Sequence, residues 1–265
     1  MNAILDNTYS QSWHAMGEEL LAKYPKPQLI LCVSAHWLTK GWYLTAMENP
    51  KTIHDFGGFP QELHDQQYPA PGSPQASRDI ASQIVMPAGQ TSIGLDESEW
   101  GFDHGAWGVL KPMFPKADIP VIQLSLDWYA HPTEHFAMGE RLRVLRDHGV
   151  LIVASGNTVH NLGLMDRSTL FSGAPNALPT FDWALQFDHF VRDCIDSGDR
   201  ARLAKFQDLG EELKALAKTA HPTYDHYLPL LHAAGAADNN DTHRFFNDTY
   251  EMRATAMRSV IWEAK

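Results

Sequence analysis

The sequence has few cysteines and few positive charges, and each shortage excludes a class of protein. Its two cysteines, Cys32 and Cys194, are too few for a disulfide framework or a cysteine-based zinc site, and their apolar surroundings are typical of a core. With 21 basic against 32 acidic residues, the formal net charge of −11 argues against binding nucleic acid or an anionic membrane surface through bulk charge.

Long apolar runs and several catalytic signatures are also absent. No apolar run approaches the roughly 18 residues of a transmembrane helix, and the opening MNAILDNTYS is not a charged-then-apolar leader, so we expect a cytoplasmic protein. There is no HExxH, Walker loop or GxGxxG, and neither Ser34 nor Ser155 lies in a GxSxG elbow. A serine hydrolase is therefore disfavoured.

Apolar runs alternate with amphipathic stretches along the chain, which is the pattern of an α/β protein. The predicted strands are 29–36, 41–48, 91–95, 119–126, 150–157 and 253–263. The predicted helices are 6–24, 75–84, 106–114, 131–149, two or three pieces within 181–218, and one that opens at Pro222 and runs to 236. This order predicts a mostly parallel central sheet flanked by helices. Since no repeat, linker or low-complexity segment interrupts it, we expect a single domain over 1–265.

Histidine is abundant, with 14 residues, and five of them occupy positions where such a sheet holds ligands. Three border apolar strands beside Gly, Asp or Asn, one lies in a Gly-rich loop, and one in the first turn of the last predicted helix; these are His36, His104, His160, His54 and His226. Each alone fits a structural role, such as capping a strand. Because the ends of parallel strands meet at one edge, together they favour a metal site. Spacing does not choose among Zn, Fe, Cu and Ni.

Six motifs carry a resemblance to a known family. They are SAHW (34–37), TIHDFGGFP (52–60), YPAPGSP (68–74), WGFDHGAWGVL (100–110), VASGNTVHNL (153–162) and DHYLPLL (225–231). Over the whole chain they resemble the 4,5-DOPA branch of the class III, LigB-like extradiol ring-cleaving dioxygenases. The resemblance implies one α/β domain with a mononuclear metal at the carboxyl edge of the strands. It implies Fe(II) for turnover, with Zn(II) able to occupy the isolated protein, and a small L-DOPA-like catechol and O2 as partners. It assigns no oligomeric state.

The resemblance also implies roles for individual residues. The histidines of the SAHW and HYLPLL motifs, His36 and His226, correspond to metal ligands, and Asp225 replaces the glutamate usual before the second. His104 and His160 correspond to residues that contact dioxygen or substrate, and His160 is the implied acid/base. The walls around the substrate ring are expected from the aromatic loop and its neighbours: His54, Phe56, Phe59, Trp37 and Tyr227.

One feature departs from the family pattern. A strand ending in GHGSP precedes the stretch that aligns with Met1-Asn2 in the family, and its histidine is the remaining metal ligand. We therefore expect this sequence to lack the first strand and one ligand. His54 is the better stand-in, because His14 lies on a predicted helix. A site with two histidines is expected to bind metal weakly and to be empty in some preparations.

Two other functions stay open at this point. A non-catalytic, MEMO-like relative with a degraded metal site would expose an apolar or aromatic patch to a partner protein and would consume no oxygen with catechol. A zinc hydrolase would need a carboxylate base near the metal, and Asp55 and Asp103 are the loop carboxylates close to the histidine motifs.

Overall fold

A computed structural model describes residues 7–87, 91–169 and 178–265, so position 6 of the first predicted helix lies outside the described residues. The chain divides into two compact units, Met1–Ala130 with Arg141–Ser155 and His131–Glu140 with Gly156–Lys265. The single domain predicted for 1–265 stays a prediction.

The first unit is built on a five-stranded sheet. The elements from Thr8 to Ser155 are α1 (Thr8–Lys23), β1 (Leu29–Thr39), β2 (Tyr43–Thr45), β3 (Lys51–Thr52), α2 (Gln61–His64), α3 (Pro74–Gln83), β4 (Gly94–Asp96), β5 (Gly101–Phe102), α4 (His104–Met113), β6 (Val121–Asp127), α5 (Pro132–Leu142, which begins in the second unit), a 3₁₀ segment (Arg143–His148) and β7 (Val150–Ser155). The strand order is β4-β2-β6-β1-β7. The pairs β1–β6, β1–β7 and β2–β4 are parallel, and β2–β6 is antiparallel. The predicted α/β class with a mostly parallel sheet is confirmed.

Strand β1 lies at the centre of the hydrophobic core because it is paired on both edges. Residues Ile30–Val33 have no exposed surface. A parallel strand covered on both faces is typically a continuous apolar run, which is what this stretch of sequence shows. Cys32 belongs to this run, and Cys194 is likewise buried, so both cysteines are free core residues as predicted.

The second unit contains helices and two antiparallel pairs of strands. Its remaining elements are a 3₁₀ turn (Arg167–Thr169), α6 (Asp182–Asp196), a 3₁₀ segment (Arg200–Lys205), α7 (Glu211–Ala220), α8 (Leu228–Ala236), β8 (Thr242–Phe246), β9 (Tyr250–Glu251), β10 (Thr255–Ala256) and β11 (Ser259–Glu263). β9 pairs with β10 and β8 pairs with β11. The predicted closing strand at 253–263 is therefore two strands. Among the helices of the described ranges, none has the length and apolar character needed to cross a membrane.

The start predicted for the last helix is wrong. The sequence has two prolines near it, and the helix α8 begins at Leu228 with Pro229 in its first turn, where a missing N–H costs no hydrogen bond. Pro222 opens a stretch of bends and turns instead. His226 consequently lies in the turn before α8 rather than in the helix.

Candidate metal centre

The central strand is irregular at the point where it carries His36. β1 pairs with β6 up to Val33 and again from Leu38, and the register shifts between these two residues. Pairing with β7 ends at Ser34. His36 therefore lies in the bulged segment between the two paired parts of the strand, near the carboxyl edge of the sheet as predicted. Bulges re-aim side chains and are frequent beside active sites.

The carboxylate of Asp55 joins His36 to His104. The Nδ1 atom of His36 lies 2.5 Å from Oδ2 of Asp55, and the Nδ1 atom of His104 lies 2.9 Å from Oδ1. The backbone N–H of His104 also donates to Oδ1 over 2.9 Å. The two imidazole rings meet edge to face, with centroids 4.1 Å apart. One ligand atom from each of the three residues lies within 4.8 Å of the others.

The protonation of this cluster follows from its hydrogen bonds. Burial acts to raise the pKa of Asp55, but the donors from His104 and His36 outweigh it and hold that pKa well below its usual range. An ionised carboxylate accepts only, so each imidazole places an N–H at Nδ1. Nε2 is then the nitrogen with which each ring can bind a metal or exchange a proton.

A second carboxylate, that of Asp103, fixes the start of the helix that carries His104. Asp103 is fully buried and caps α4, whose first residue is His104. Its oxygens accept four hydrogen bonds, from Ser34 Oγ (2.6 Å), Trp100 Nε1 (3.3 Å), the backbone N–H of Ala106 (3.1 Å) and Gln123 Nε2. Because a buried polar group is costly unless it is hydrogen-bonded, this set fixes where the helix begins.

The glycine after His104 lets the helix approach the strand. A Cβ atom at Gly105 would lie 2.5 Å from Ser34 Oγ and 3.1 Å from Cδ2 of His36. The backbone N–H of His36 donates to the same Ser34 hydroxyl over 3.3 Å. The spacing in the sequence G-F-D-H-G is thereby explained, since the aspartate caps the helix, the histidine opens it and the glycine makes room for β1.

Aromatic side chains from the Gly-rich loop lie against the cluster. Phe56 meets His104 edge to face at 5.2 Å between centroids and Phe59 at 5.7 Å. His64 lies 4.9 Å from Phe56. Both phenylalanines are partly exposed. They have the position and exposure that the predicted substrate walls require, although their contact with a substrate stays a prediction.

The other predicted substrate contacts occupy different environments. His54 places Nε2 2.9 Å from the carbonyl oxygen of Gln66, and it is not part of the histidine–aspartate cluster found among the described residues. Trp37 is 4% exposed and stacks on Trp100. Tyr227 is fully buried in the second unit, where its hydroxyl donates to the carbonyl of Leu203. Burial of both rings argues against direct substrate contact by Trp37 and Tyr227.

The second unit brings His160 and His226 together. Their imidazole rings stack with centroids 3.6 Å apart and an angle of 8° between planes. The Nδ1 atom of His226 lies 3.3 Å from Oδ1 of Asn157, and the N–H of Asn157 donates to the carbonyl of His226 over 2.8 Å. At Gly156 a Cβ atom would lie 2.2 Å from that same carbonyl oxygen. The close backbone approach explains why glycine follows β7.

The donor chemistry of these residues suits a transition metal. Imidazole nitrogen and carboxylate oxygen are the ligands of non-haem iron sites, and imidazole also suits zinc. A metal-binding histidine almost always gives its second ring nitrogen to a carboxylate or carbonyl oxygen, and His36 shows that arrangement with Asp55. The metal-binding roles of His36 and His226 stay predictions.

An α/β protein with a His–Asp–His cluster at the carboxyl edge of its sheet is a candidate metalloenzyme. The chain belongs to the family of the catalytic LigB subunit of aromatic ring-opening dioxygenases, whose model matches residues 1–259. Dioxygenases of this family use a metal.

Named relatives cover nearly the same length. A 4,5-DOPA dioxygenase extradiol from Escherichia coli K12 is 43% identical over 261 residues, which are 98% of this chain and 90% of that protein. A 4,5-DOPA dioxygenase extradiol from Beta vulgaris is 34% identical over 92% of this chain and 84% of its own. The crystal structure of an uncharacterized Escherichia coli K12 protein matches with a TM-score of 0.78 and 37% identity, over 98% of this chain and 94% of that one.

Sequence reasoning considered Asp55 only as a possible hydrolytic base and did not predict its contact with two histidines. The signal available was its place beside His54 in a Gly-rich loop, but a loop's path does not follow from periodicity. Ser34 and Asn157 were likewise not predicted to support the histidines. The available signal was their position, since Ser34 stands two residues before His36 and Asn157 ends the predicted strand 150–157.

Proposed function

We propose that the protein is an extradiol dioxygenase that opens the ring of an L-DOPA-like catechol with O2 at a mononuclear Fe(II). The observation that carries the proposal is the Asp55 carboxylate shared by the Nδ1 atoms of His36 and His104, in a chain of the ring-opening dioxygenase family. The names of the relatives support the substrate class.

The metal fits the first unit through His36. With Nδ1 committed to Asp55, Nε2 is the nitrogen that would coordinate the ion, and a carboxylate partner makes that nitrogen a better ligand. When bound, Fe(II) would lower the pKa of the catechol hydroxyls and let electrons pass from the ring to dioxygen. His226 is the further ligand that the resemblance implies.

The side chains supply orientation and proton transfer. Phe56 and Phe59 would pack against the aromatic ring and limit the access of water. The Nε2 atom of His104 would contact dioxygen or a catechol oxygen. The residue is held against Asp55 by two hydrogen bonds, one from the ring at Nδ1 and one from its backbone N–H. His160 would accept the proton of a catechol hydroxyl and return one as the ring opens, a role that suits an imidazole near neutral pH.

The hydrolase alternative is disfavoured by the two carboxylates on which it depended. Burial acts to raise the pKa of Asp55, but hydrogen bonds from His104 and His36 hold it well below its usual range. A carboxylate with so low a pKa is a weak base and does not activate water well. Asp103 is fully buried and accepts four hydrogen bonds. Both carboxylates are therefore poor candidates for the base that a hydrolase needs.

One observation favours the partner-binding alternative. Trp128 and Tyr129, which follow β6, are 49% and 76% exposed, and Leu38 of β1 is 39% exposed. These residues are neighbours, since the N–H of Trp128 donates to the carbonyl of Thr39. Exposed aromatic residues of this kind are what a non-catalytic relative would use to bind another protein. Oxygen uptake separates the two functions.

The test is catechol-dependent oxygen uptake. The protein is loaded anaerobically with Fe(II), mixed with L-DOPA or a simple catechol, and exposed to oxygen while a visible-absorbing product is followed. We expect turnover by the wild type. His160→Ala should retain iron and lose about 10²- to 10⁴-fold in rate, and His189→Ala, an exposed histidine of the same unit, should act like the wild type. No oxygen uptake by iron-loaded wild type would refute the proposal.

A further inference from the structure

Thr158, two positions before His160, is bonded at both its side chain and its backbone. Its hydroxyl donates to Oδ1 of Asp188 over 2.8 Å, and its carbonyl accepts from Nε2 of His221 over 2.6 Å. Thr158 is 7% exposed, and Asp188 and His221 have no exposed surface. Because all three residues are buried, water cannot directly replace the hydrogen bonds between them.

Asp188 is itself held by charged and polar partners. Arg258 donates from Nε to both carboxylate oxygens, at 3.1 and 3.0 Å, and from Nη2 to Oδ2 at 2.6 Å. The hydroxyl of Tyr250 donates to Oδ2 over 2.6 Å, and Arg258 also pairs with Asp248 at 2.7 Å. A buried ion pair is a poor source of net stability, but the several hydrogen bonds that Asp188 accepts fix the position of its carboxylate.

The backbone that follows Thr158 is fixed in the same unit. The carbonyl of Val159 accepts from the N–H of Ala256 over 3.1 Å, and the N–H of His160 donates to the carbonyl of Ala220 over 3.0 Å. The side chain of Asn161 donates to the carbonyl of Thr219 over 2.7 Å. His160 is therefore carried by a backbone tied on both sides of it, with its imidazole stacked on His226.

We propose that Asp188 and Thr158 are positioning residues, whose hydrogen bond, backed by Arg258 and Tyr250, sets the backbone that holds the His160 imidazole parallel to His226. The kinetic part of this inference rests on the proposed function, in which His160 transfers protons. The geometric part does not, because the stacking of the two rings is a property of the folded chain. A misplaced acid/base slows the chemical step and leaves substrate binding unchanged.

The variants separate positioning from stability. Thr158→Val keeps the shape of the side chain and removes the bond to Asp188, whereas Thr158→Ser keeps the hydroxyl. Thr255→Val is the matched control: it makes the same change at a position that pairs with His160 through the backbone, and its hydroxyl has no hydrogen-bond partner among the described residues. Tyr250→Phe loosens Asp188 without touching Thr158.

We expect Thr158→Val in the iron-loaded protein to lower kcat about 10- to 100-fold with KM for catechol unchanged. Thr158→Ser should recover most of that loss, and Thr255→Val should match the wild type. A purely structural role predicts a lower unfolding midpoint and a normal kcat per folded molecule. Normal kcat in Thr158→Val, or failure of Thr158→Ser to recover the rate, would overturn the proposal.

A second readout does not depend on turnover. In protein prepared without iron, the imidazole nitrogen and carbon signals of His160 are observed by heteronuclear NMR and assigned by their loss in His160→Gln. Thr158→Val should shift or broaden these signals, Tyr250→Phe should do so less, and those of His189 should stay in place. Unmoved His160 signals would overturn the proposal even if the wild type turns over. Moved signals with no wild-type oxygen uptake would support the positioning and refute the proposed function.

Discussion

A single methyl group added at Gly105 tests whether the close approach of α4 to β1 holds the candidate metal centre together. In Gly105→Ala the new Cβ would lie 2.5 Å from Ser34 Oγ, 3.1 Å from Asp103 Oδ1 and 3.1 Å from Cδ2 of His36. The Ser34 hydroxyl can move away only by leaving Asp103, which is buried. The methyl therefore either breaks that hydrogen bond or pushes the helix and the strand apart.

The expected loss follows from the bond at risk. A buried polar group deprived of one partner costs about 1–3 kcal/mol, and alanine in a helix regains about 0.5–1 kcal/mol relative to glycine. We expect Gly105→Ala to lower the free energy of unfolding by about 1–2 kcal/mol. Because His104 precedes the methyl and His36 faces it, turnover should fall about 10- to 100-fold.

Urea unfolding and oxygen uptake measure the two effects. Gly108→Ala is the control on the same helix, since a Cβ there meets no atom within 4 Å, and it should be neutral or slightly stabilising. In a Ser34→Ala background the hydroxyl that the methyl strikes is gone, so adding Gly105→Ala should cost less. Equal stability and turnover of the Gly105 and Gly108 variants would refute the close-approach argument.

Three further predictions concern charge, packing and pH. Asp55→Asn removes the charge that both imidazoles face, so metal affinity measured by chelator competition should fall about 10- to 100-fold. Gly156→Ala would place Cβ 2.2 Å from the carbonyl oxygen of His226, a backbone atom, and should cost about 1–3 kcal/mol in urea unfolding. Burial lowers the pKa of His232 to about 4 and of His221 to about 3. In the unfolded chain both histidines bind a proton near pH 6.5. The free energy of unfolding should therefore be at its full value above about pH 6.5 and fall as the pH decreases toward about 4, by up to about 1.4 kcal/mol per pH unit for each group. His232→Gln should reduce that slope.

Each of these predictions has a control that shares its chemistry. Asp65→Asn changes an exposed carboxylate and should leave metal affinity unchanged. A Cβ at Gly57 meets no atom within 4 Å, so Gly57→Ala should keep the wild-type midpoint. Metal affinity that survives Asp55→Asn, or a stability that does not depend on pH between 4 and 6.5, would contradict the corresponding argument.

Local sequence patterns were sufficient to predict the elements whose buried residues recur at a regular spacing. The strand predicted at 29–36 and the helix predicted at 75–84 appear as β1 and α3 with small changes at their ends. The prediction ended β1 at His36, whereas the strand resumes pairing at Leu38. A bulge depends on the partner strand as well as on the bulged one, so the residues of β1 alone do not reveal it.

The carboxylates that organise the histidines could not be predicted in this way. Asp188 stands in α6 between Phe187 and the exposed His189, a pattern typical of a helix boundary with solvent. It is buried because Arg258 reaches it from 70 positions later in the chain. The pairing is decided by tertiary packing, and one sequence contains no periodic signal for it. The motif histidines were found because glycine and aspartate mark the sharp local turns around them.

The single carboxylate shared by His36 and His104 makes the two rings thermodynamically dependent on each other. Substituting His36 leaves Oδ2 of Asp55 without its imidazole donor, and substituting His104 leaves Oδ1 with only the backbone N–H of that residue. In either case the carboxylate is held less firmly for the ring that remains. The cost of replacing both should therefore be smaller than the sum of the two single costs, which is the signature of coupled positions in a double-mutant cycle. An engineer who wishes to change the ligand type at either position must redesign Asp55 at the same time, because the three residues behave as one exchangeable unit.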